Sequence, residues 1–319
     1  MINNKNILIT GGAGFIGTAL CKKLVKNNKI TVFDNLTRNS MKHTNLEKNK
    51  NIRFIIGDIR NINQIKEASK GMNIILHLAA IAGVSEYYSN PKRVIDVNYN
   101  GTSNLLNVIQ GDKNIELFLD MSTSEIYGTN AHFVSEVDSP SSFPPNDMRS
   151  VYAKSKNLAE QLAFCYAQEY NLPVISVRPF NIYGPGQIGE GAISNMIQNA
   201  INNDDLFVTG DGSAVRAWCY IDDFIKAIIR LIDIRNDIKS EAYNIGNSSE
   251  VQTTLNLAKI IIRITKSQSK IKFVDHIGTE IPIRIPDTSK IVKTINFKPN
   301  VDLEMGIANT ADWWIKLLK

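Results

Sequence analysis

An α/β fold is predicted for this chain of 319 residues, with a doubly wound parallel sheet followed by a smaller mixed C-terminal domain. Three observations predict it. Short apolar segments alternate with helical patterns, a glycine-rich turn joins the first strand to the first helix, and the pattern changes near residue 180. Parallel strands are buried on both faces, so each is expected as a short run rich in Ile, Val or Phe. We expect two domains, residues 1–179 and 180–319, with some exchange of chain between them.

The elements follow one another in the order that a doubly wound sheet requires. Strands are predicted at residues 6–10, 29–34, 52–58, 72–80, 115–120 and 173–178. Helices are predicted at residues 13–27, 62–70, 94–109 and 151–170. Later strand candidates are isolated, at residues 206–210 and 242–246, and an amphipathic helix is expected at residues 302–318. The loop at residues 135–150 contains three prolines and is expected to cover a cleft.

The composition, with 43% hydrophobic and 21% charged residues, is that of an ordinary globular protein. The 36 basic residues are interspersed with 31 acidic ones, so the net charge of +5 suits anionic ligands but indicates no nucleic-acid surface. The three cysteines and four histidines are scattered, and we expect no disulfide framework and no metal. No apolar run reaches the roughly 18 residues of a membrane span, and no signal peptide is evident. We therefore expect a cytoplasmic protein with no membrane partner.

Residues 9–17, ITGGAGFIG, follow the first predicted strand and open the first helix. Gly11 permits the tight turn, and Gly14 lets the backbone approach a pyrophosphate at the helix N-terminus. Gly17 allows the helix to pack closely on the strand. The strand–turn–helix context of these three glycines predicts a dinucleotide site.

Asp34 ends the second predicted strand. An acid in this place can accept hydrogen bonds from both ribose hydroxyls of adenosine and would repel a 2′-phosphate, so NAD is favoured over NADP. Asp58 ends the third strand. It is placed either to bond the adenine amine or to cap the next helix, and the sequence leaves both roles open.

Tyr152 and Lys156 lie four residues apart in the predicted helix at residues 151–170, so they share one face. An ammonium beside a phenol lowers the pKa of the phenol because it favours the phenolate. Tyr152 is then expected to take a hydroxyl proton as a hydride leaves for the nicotinamide. Lys156 is expected also to hold the nicotinamide ribose.

An ordered series of motifs extends these features over nearly the whole chain. The motifs are GGAGFIG (11–17), VFDN (32–35), GDIR (57–60), HLAA (77–80), VNYNGT (97–102), STSEIYG (122–128), YAKSK (152–156), RPFNIYGPG (178–186), RAWCYIDD (216–223), YNIG (243–246) and RIPD (284–287). Together they resemble the extended short-chain dehydrogenase/reductase family of nucleotide-sugar epimerases, dehydratases and decarboxylases. The resemblance implies a Rossmann-type NAD-binding domain and a C-terminal domain that binds a nucleotide-diphosphate sugar.

The same resemblance implies a mechanism, a quaternary structure and site residues. The sugar is oxidised at C4 by tightly held NAD, the 4-keto intermediate reacts, and the helices at residues 94–109 and 151–170 form a homodimer. Contacts with NAD are implied for Gly11, Gly14, Phe15, Ile16, Gly17, Asp34, Asn35, Asp58, Ile59, Leu78, Ala79, Ala80, Asn98, Tyr152 and Lys156. Asn181, Arg216 and Arg284 are implied to contact the diphosphate and nucleotide of the substrate, a role that suits guanidinium forks.

The triplet Thr123-Ser124-Glu125 separates members of this family. Counting back from residues 126–128 aligns Thr123 with the family's catalytic hydroxyl, which bonds the C4 oxygen and helps to move its proton to Tyr152. Glu125 resembles the residue that removes the C5 proton in GDP-mannose 4,6-dehydratases, and the triplet is also similar to that of UDP-glucuronate decarboxylases. Ser124 differs from the aspartate of dTDP-glucose dehydratases and is expected to contact substrate or to orient its neighbours.

Further features favour a resemblance to the decarboxylases. Residues 194–201, SNMIQNAI, resemble their segment before the ligand strand, and Arg149 resembles a residue of the bacterial decarboxylases of lipid A modification with aminoarabinose. Arg216 is followed by Ala217, where dehydratases and epimerases often have aspartate, and the missing carboxylate would remove repulsion toward a uronate. Glu190, in contrast, would lie awkwardly beside a second anion.

The leading hypothesis is an NAD-dependent enzyme that makes a 4-keto nucleotide sugar and then carries out C5/C6 chemistry, either 4,6-dehydration or uronate decarboxylation. Epimerisation at C4 is the alternative. The rival from another class is a non-catalytic NAD-binding scaffold or sensor. Thr123, Tyr152 and Lys156 argue against this rival because a binding module needs no acid–base relay.

Overall fold

The computed structural model describes residues 2–140, 143–144 and 146–318. Its strands are β1 (Asn6–Thr10), β2 (Lys29–Asp34), β3 (Ile52–Ile56), β4 (Ile74–His77), β5 (Leu117–Met121), β6 (Asn130–Val134), β7 (Val174–Pro179), β8 (Ile182–Tyr183), β9 (Leu206–Thr209), β10 (Val215–Ala217), β11 (Cys219–Tyr220), β12 (Glu241–Ile245), β13 (Val251–Thr253), β14 (Ile271–Val274) and β15 (Ile283–Pro286).

The helices alternate with these strands along the first part of the chain and dominate the second. They are α1 (Phe15–Leu24), α2 (Ile62–Ser69), α3 (Val84–Ser89), α4 (Pro91–Ile95), α5 (Gly101–Ile109), α6 (Arg149–Tyr170), α7 (Ala192–Asn202), α8 (Ile221–Asp233), α9 (Thr254–Thr265), α10 (Ser289–Ile295) and α11 (Leu303–Leu318). Short 3₁₀ turns occur at Met41–His43, Leu46–Lys48 and Ser124–Tyr127, and a π-helical turn occurs at Asp96–Asn100. Among the described residues, no helix is long and apolar enough to cross a membrane.

A seven-stranded parallel sheet forms the centre of the protein, in the order β12-β7-β5-β4-β1-β2-β3. The order reverses beside β1, as in doubly wound sheets of the Rossmann type. The predicted fold class is therefore confirmed. Alternate residues of each strand face opposite layers: Ile7 packs with α1 and α8, whereas Leu8 packs with α2, α5 and α6.

A smaller mixed sheet, in the order β13-β10-β15-β6, lies beside the main one. Two strands cross the predicted boundary at residue 180, because β6 joins the small sheet and β12 joins the edge of the main sheet. The domain division itself stays a prediction. The predicted loop at residues 135–150 includes residues 141, 142 and 145, which lie outside the described residues.

The helix predicted at residues 94–109 is interrupted by the π-helical turn Asp96–Asn100. Asn98 lies in this turn and is fully buried. Its Oδ1 accepts a hydrogen bond from the backbone N–H of Ile81 at 2.7 Å, and its Nδ2 donates to the carbonyl of Ile81 at 3.1 Å. Single π-helical turns often mark functional positions, and this one turns Asn98 toward the loop that follows β4.

A buried ion pair joins α6 to the strands beneath it. Nε of Arg178 donates to both carboxylate oxygens of Glu160 at 3.1 Å. Nη1 of Arg178 donates to the hydroxyl of Tyr127 at 2.6 Å, and that hydroxyl donates to Oδ1 of Asn244 at 2.8 Å. The network therefore connects α6, β7, β12 and the 3₁₀ turn after β5.

We expect Arg178→Met to lower the free energy of unfolding by about 3–5 kcal/mol, because it leaves the Glu160 carboxylate buried without a counter-charge. Arg263→Met removes a pair with Glu304 whose side chains are 62% and 59% exposed, and should cost less than about 1 kcal/mol. Urea unfolding of both variants checks this. Equal losses of unfolding free energy in the two variants would contradict a larger contribution from the buried pair.

Candidate active site

The carboxyl ends of the parallel strands meet at one edge of the main sheet, where ligands bind in such folds. The turn after β1 lies at this edge. Gly11 has φ +68°, and a Cβ there would lie 2.8 Å from the backbone N of Ala79. A Cβ on Gly17 would lie 2.6 Å from the carbonyl oxygen of Gly11. These close approaches explain two of the glycines. A Cβ on Gly14, the N-cap residue of α1, would lie 3.2 Å from the carbonyl oxygen of Gly11.

Asp34 ends β2 beside this turn. Its Oδ2 accepts a hydrogen bond from the backbone N–H of Ala13 at 3.0 Å, and its Oδ1 accepts one from Leu36 at 2.7 Å. Burial raises the pKa of this carboxyl, although the backbone donors act in the opposite direction. Each oxygen keeps a lone pair for a ribose hydroxyl. The glycine turn at the N-terminus of α1 and the acceptors of Asp34 fit NAD.

The remaining residues predicted to contact NAD lie around the same edge: Phe15, Ile16, Asn35, Ile59, Leu78, Ala79 and Ala80. Asn98 is buried, and both polar atoms of its amide form hydrogen bonds with the backbone of Ile81. Its position therefore suits stabilisation of the loop after β4. Asp58 is paired with Arg60, whose Nε donates to both carboxylate oxygens at 3.0 and 3.2 Å. The individual cofactor contacts of these residues stay predictions.

Thr123, Tyr152 and Lys156 come together at the end of β5. Thr123 caps the 3₁₀ turn, and its hydroxyl accepts the backbone N–H of Glu125 at 3.2 Å. The ring of Tyr152 stacks on the ring of Tyr87, with centroids 4.8 Å apart and planes inclined by 12°. This contact with α3 was not predicted, because Tyr87 lies in a segment without a recognisable motif.

The expected lowering of the pKa of Tyr152 is not found in the protein alone. Burial raises the pKa of Tyr152 to about 12, although a hydrogen bond with Thr123 lowers it. The ammonium of Lys156 lies 3.6 Å from the carboxylate of Asp120, which offsets its charge. Burial and Asp120 therefore oppose the lowering expected from Lys156, and the effect of bound NAD on Tyr152 stays a prediction.

Glu125 is almost fully buried between two guanidinium groups. Its Oε1 accepts hydrogen bonds from Nη2 of Arg149 at 3.1 Å and from Nη1 of Arg284 at 3.3 Å. Burial alone would raise the pKa of Glu125, but the two cations outweigh it and hold the pKa below its usual value. A carboxylate with a lowered pKa is a weaker base. The arrangement therefore suits an anchor for Arg149 and Arg284 better than a base for the C5 proton.

A third arginine completes a cationic pocket. Arg216 donates to the carbonyls of Val215 and Ile281 at 2.8 and 2.7 Å. Burial lowers its pKa to about 9, and repulsion from Arg284 and Arg149 adds to this. The three guanidinium groups lie near Glu125, and Glu280 also acts on Arg216, so one positive charge is in excess. Nε of Arg149 and both Nε and Nη2 of Arg284 are buried without a hydrogen-bond partner.

Other predicted substrate residues lie beside this pocket. Asn181 has φ +44°, and its Nδ2 donates to the carbonyl of Ala217 at 2.8 Å, so its amide supports β10. Ser124 is buried in the 3₁₀ turn between Thr123 and Glu125. The carboxylate of Glu190 accepts a hydrogen bond from the hydroxyl of Ser85, and its expected place beside a second anion stays a prediction.

The glycine turn, Asp34 and the Tyr152–Lys156 pair define the site of an NAD-dependent enzyme, and the cationic pocket beside them suits an anionic substrate. The chain belongs to the NAD-dependent epimerase/dehydratase family, whose model matches residues 7–246. The enzymes of this family that the chain resembles act on nucleotide sugars, and several were solved with NAD bound.

Similarity extends over the full length of individual relatives. The chain is 37% identical to a UDP-N-acetyl-α-D-glucosaminuronate decarboxylase from Bacillus cytotoxicus, over 97% of this chain and 98% of that protein. It is 29% identical to a UDP-glucuronate 4-epimerase from Thermodesulfobacterium geofontis, over 96% of this chain and 95% of that protein. The UDP-glucuronic acid 4-epimerase from Bacillus cereus, solved with UDP-glucuronic acid and NAD, superposes with a TM-score of 0.90 at 29% identity, over 98% of this chain and 100% of that one.

Replacement of Asp34 by Asn should weaken NAD binding about tenfold, close to 1.4 kcal/mol, and reduce the discrimination against NADP. The reason is the loss of a negative acceptor for the ribose hydroxyls. Fluorescence titration with NADH and NADPH measures both effects. Asp112→Asn, in an exposed loop, is the matched control. An unchanged ratio of the two affinities would contradict the role of Asp34.

Proposed function

We propose that this enzyme decarboxylates a nucleotide-linked uronic acid through a 4-keto intermediate. The observation that carries the proposal is the buried cationic pocket of Arg149, Arg216 and Arg284 around Glu125. Its excess positive charge and its unpartnered guanidinium nitrogens favour a ligand with carboxylate or phosphate oxygens. The similarity to a uronate decarboxylase supports the same substrate class.

The cationic pocket adjoins the catalytic groups, so the anion that it binds must lie near the reacting carbon of the sugar. Electrostatic interaction with Glu125 and Arg284 affects the pKa of Tyr152, so the arginines and the phenol share one site. An anion held there is close to the sugar carbon that reacts. In a uronate, the C6 carboxylate lies two bonds from C4. The diphosphate is attached at C1, farther from this pocket, and requires cations outside it.

NAD held by the glycine turn and Asp34 would supply the acceptor for the C4 hydride. The phenolate of Tyr152, supported by Lys156, takes the proton of the C4 hydroxyl, with the hydroxyl of Thr123 bonded to the same oxygen. Once C4 is a ketone, the carboxylate is in the β-position, and carbon dioxide leaves as the electron pair of the C5–C6 bond enters the enolate. The hydroxyl groups of Thr123 and Tyr152 stabilise the enolate oxygen, and C5 then takes a proton from water.

Two observations weigh against 4,6-dehydration. The lowered pKa of Glu125 makes it a poor base for the C5 proton, and Ser124 offers no acidic proton to a departing hydroxyl. A uronate 4-epimerase is the second candidate, because relatives with this activity cover the whole chain and need the same carboxylate recognition. It differs in that the 4-keto sugar must rotate rather than lose carbon dioxide.

Dimerisation through α4, α5 and α6 is part of the proposal. Ile95 and Leu158 lie on these helices with 41% and 51% of their surface exposed. Burial of both at a helix-bundle interface would remove this apolar surface from water. A monomer in analytical ultracentrifugation at micromolar concentration would contradict the proposed dimer. The cytoplasmic location stays a prediction.

Mass spectrometry of the products tests the proposed reaction. Incubation with UDP-glucuronate and UDP-N-acetylglucosaminuronate should give a product lighter by carbon dioxide, about 44 Da, while UDP-glucose remains unchanged. An unchanged mass with a new C4 configuration would identify an epimerase. Loss of water, about 18 Da, from a neutral hexose would overturn the proposal in favour of a dehydratase. Tyr152→Phe is the inactive control.

A further inference from the structure

Asp120 lies directly behind the proposed acid–base pair and has no role in the reaction described above. It is fully buried in β5, three residues before Thr123, and Lys156 is only 1% exposed. The nearest oxygen of Asp120, Oδ1, lies 3.6 Å from Nζ of Lys156. An ammonium buried so completely is costly without an opposite charge. Among the described residues, Asp120 is the ion-pair partner of Lys156.

Of the groups that the structure describes around Asp120, Lys156 is the one that supplies a positive charge. From β4, His77 lies opposite in the strand register, and burial lowers the pKa of His77 to about 3, so that the ring is neutral. From β7, the hydroxyl of Ser176 lies 3.5 Å from Oδ2 of Asp120 and donates to the nearer Glu160 at 3.0 Å. From α6, Glu160 faces Asp120, but its own charge is matched by Arg178.

The geometry also places Asp120 within electrostatic range of the phenol of Tyr152. Tyr152, Lys156 and Glu160 succeed one another at intervals of four residues on one face of α6, above the end of β5. The carboxylate of Asp120 raises the pKa of Tyr152, in opposition to what an ammonium does. The charge of Asp120 thus reaches both members of the acid–base pair.

We propose that Asp120 is a positioning residue, whose carboxylate holds the ammonium of Lys156 beneath Tyr152 and sets the pH range in which the pair works. The proposal rests on the role of Tyr152 and Lys156 in the proposed function. Removal of a negative charge favours loss of a proton from its neighbours, so the pair should release its first proton at lower pH without Asp120.

The test is an ultraviolet titration of tyrosinate in the NAD-loaded protein, with Tyr152→Phe subtracted to isolate one phenol. Asp120→Asn should move this transition to lower pH by about one unit, and the acidic limb of kcat/KM on a uronate substrate should move with it. Glu169→Gln removes an equal charge from the exposed end of α6 and should move neither. An unmoved or upward-shifted transition in Asp120→Asn would overturn the proposal.

Thermal unfolding supplies a second test, because any variant that removes the Asp120 carboxylate leaves Lys156 without its counter-charge. Asp120→Leu should lower Tm much less in a Lys156→Met background than in the natural chain. Equal losses of Tm in both backgrounds would show that the two groups are not coupled and would overturn the proposal. If no nucleotide sugar is turned over, the proposed function fails, while the titration and the unfolding cycle still decide the role of Asp120.

Discussion

The ion pairs of Glu125 with Arg149 and Arg284 determine how the active site is assembled. Arg284 lies 159 residues from Glu125 along the chain and reaches it from β15 of the small sheet. Arg149 reaches it from the first residue of α6. Without the carboxylate, the two guanidinium groups would repel each other in a buried space. Glu125 therefore holds the small sheet, the catalytic helix and the end of β5 together.

Helix α6 separates two charge systems of different character. Arg149 at its first residue belongs to a pocket with excess positive charge, while Lys156 and Glu160 belong to a network with two cations and two carboxylates. Tyr152 lies between them and is affected by both. The phenol of Tyr152 therefore lies between a cationic pocket suited to an anionic substrate and a buried network whose positive and negative charges are equal in number.

The sequence was sufficient for the main sheet and its glycine turn, because strand composition and glycine spacing are local properties. It was sufficient also for placing Thr123 near Tyr152, since Thr123 follows β5 and Tyr152 lies on the next long helix. It could not show the burial that raises the pKa of Tyr152, nor the meeting of Arg149 with Arg284, which depends on how the small sheet docks. Nor could it show that Asp120 in β5 pairs with Lys156 on α6.

Calorimetric binding to the Tyr152→Phe variant tests most directly whether the buried charges create a site for an anionic sugar. The variant removes the reacting phenol and keeps Glu125 with its arginines. UDP-glucuronate should bind at least tenfold more tightly than UDP-glucose, about 1.4 kcal/mol, because its carboxylate meets unpartnered guanidinium nitrogens. The difference should disappear in Arg149→Met/Tyr152→Phe. Equal or weaker binding of the uronate to the Tyr152→Phe variant would contradict the assignment of the pocket.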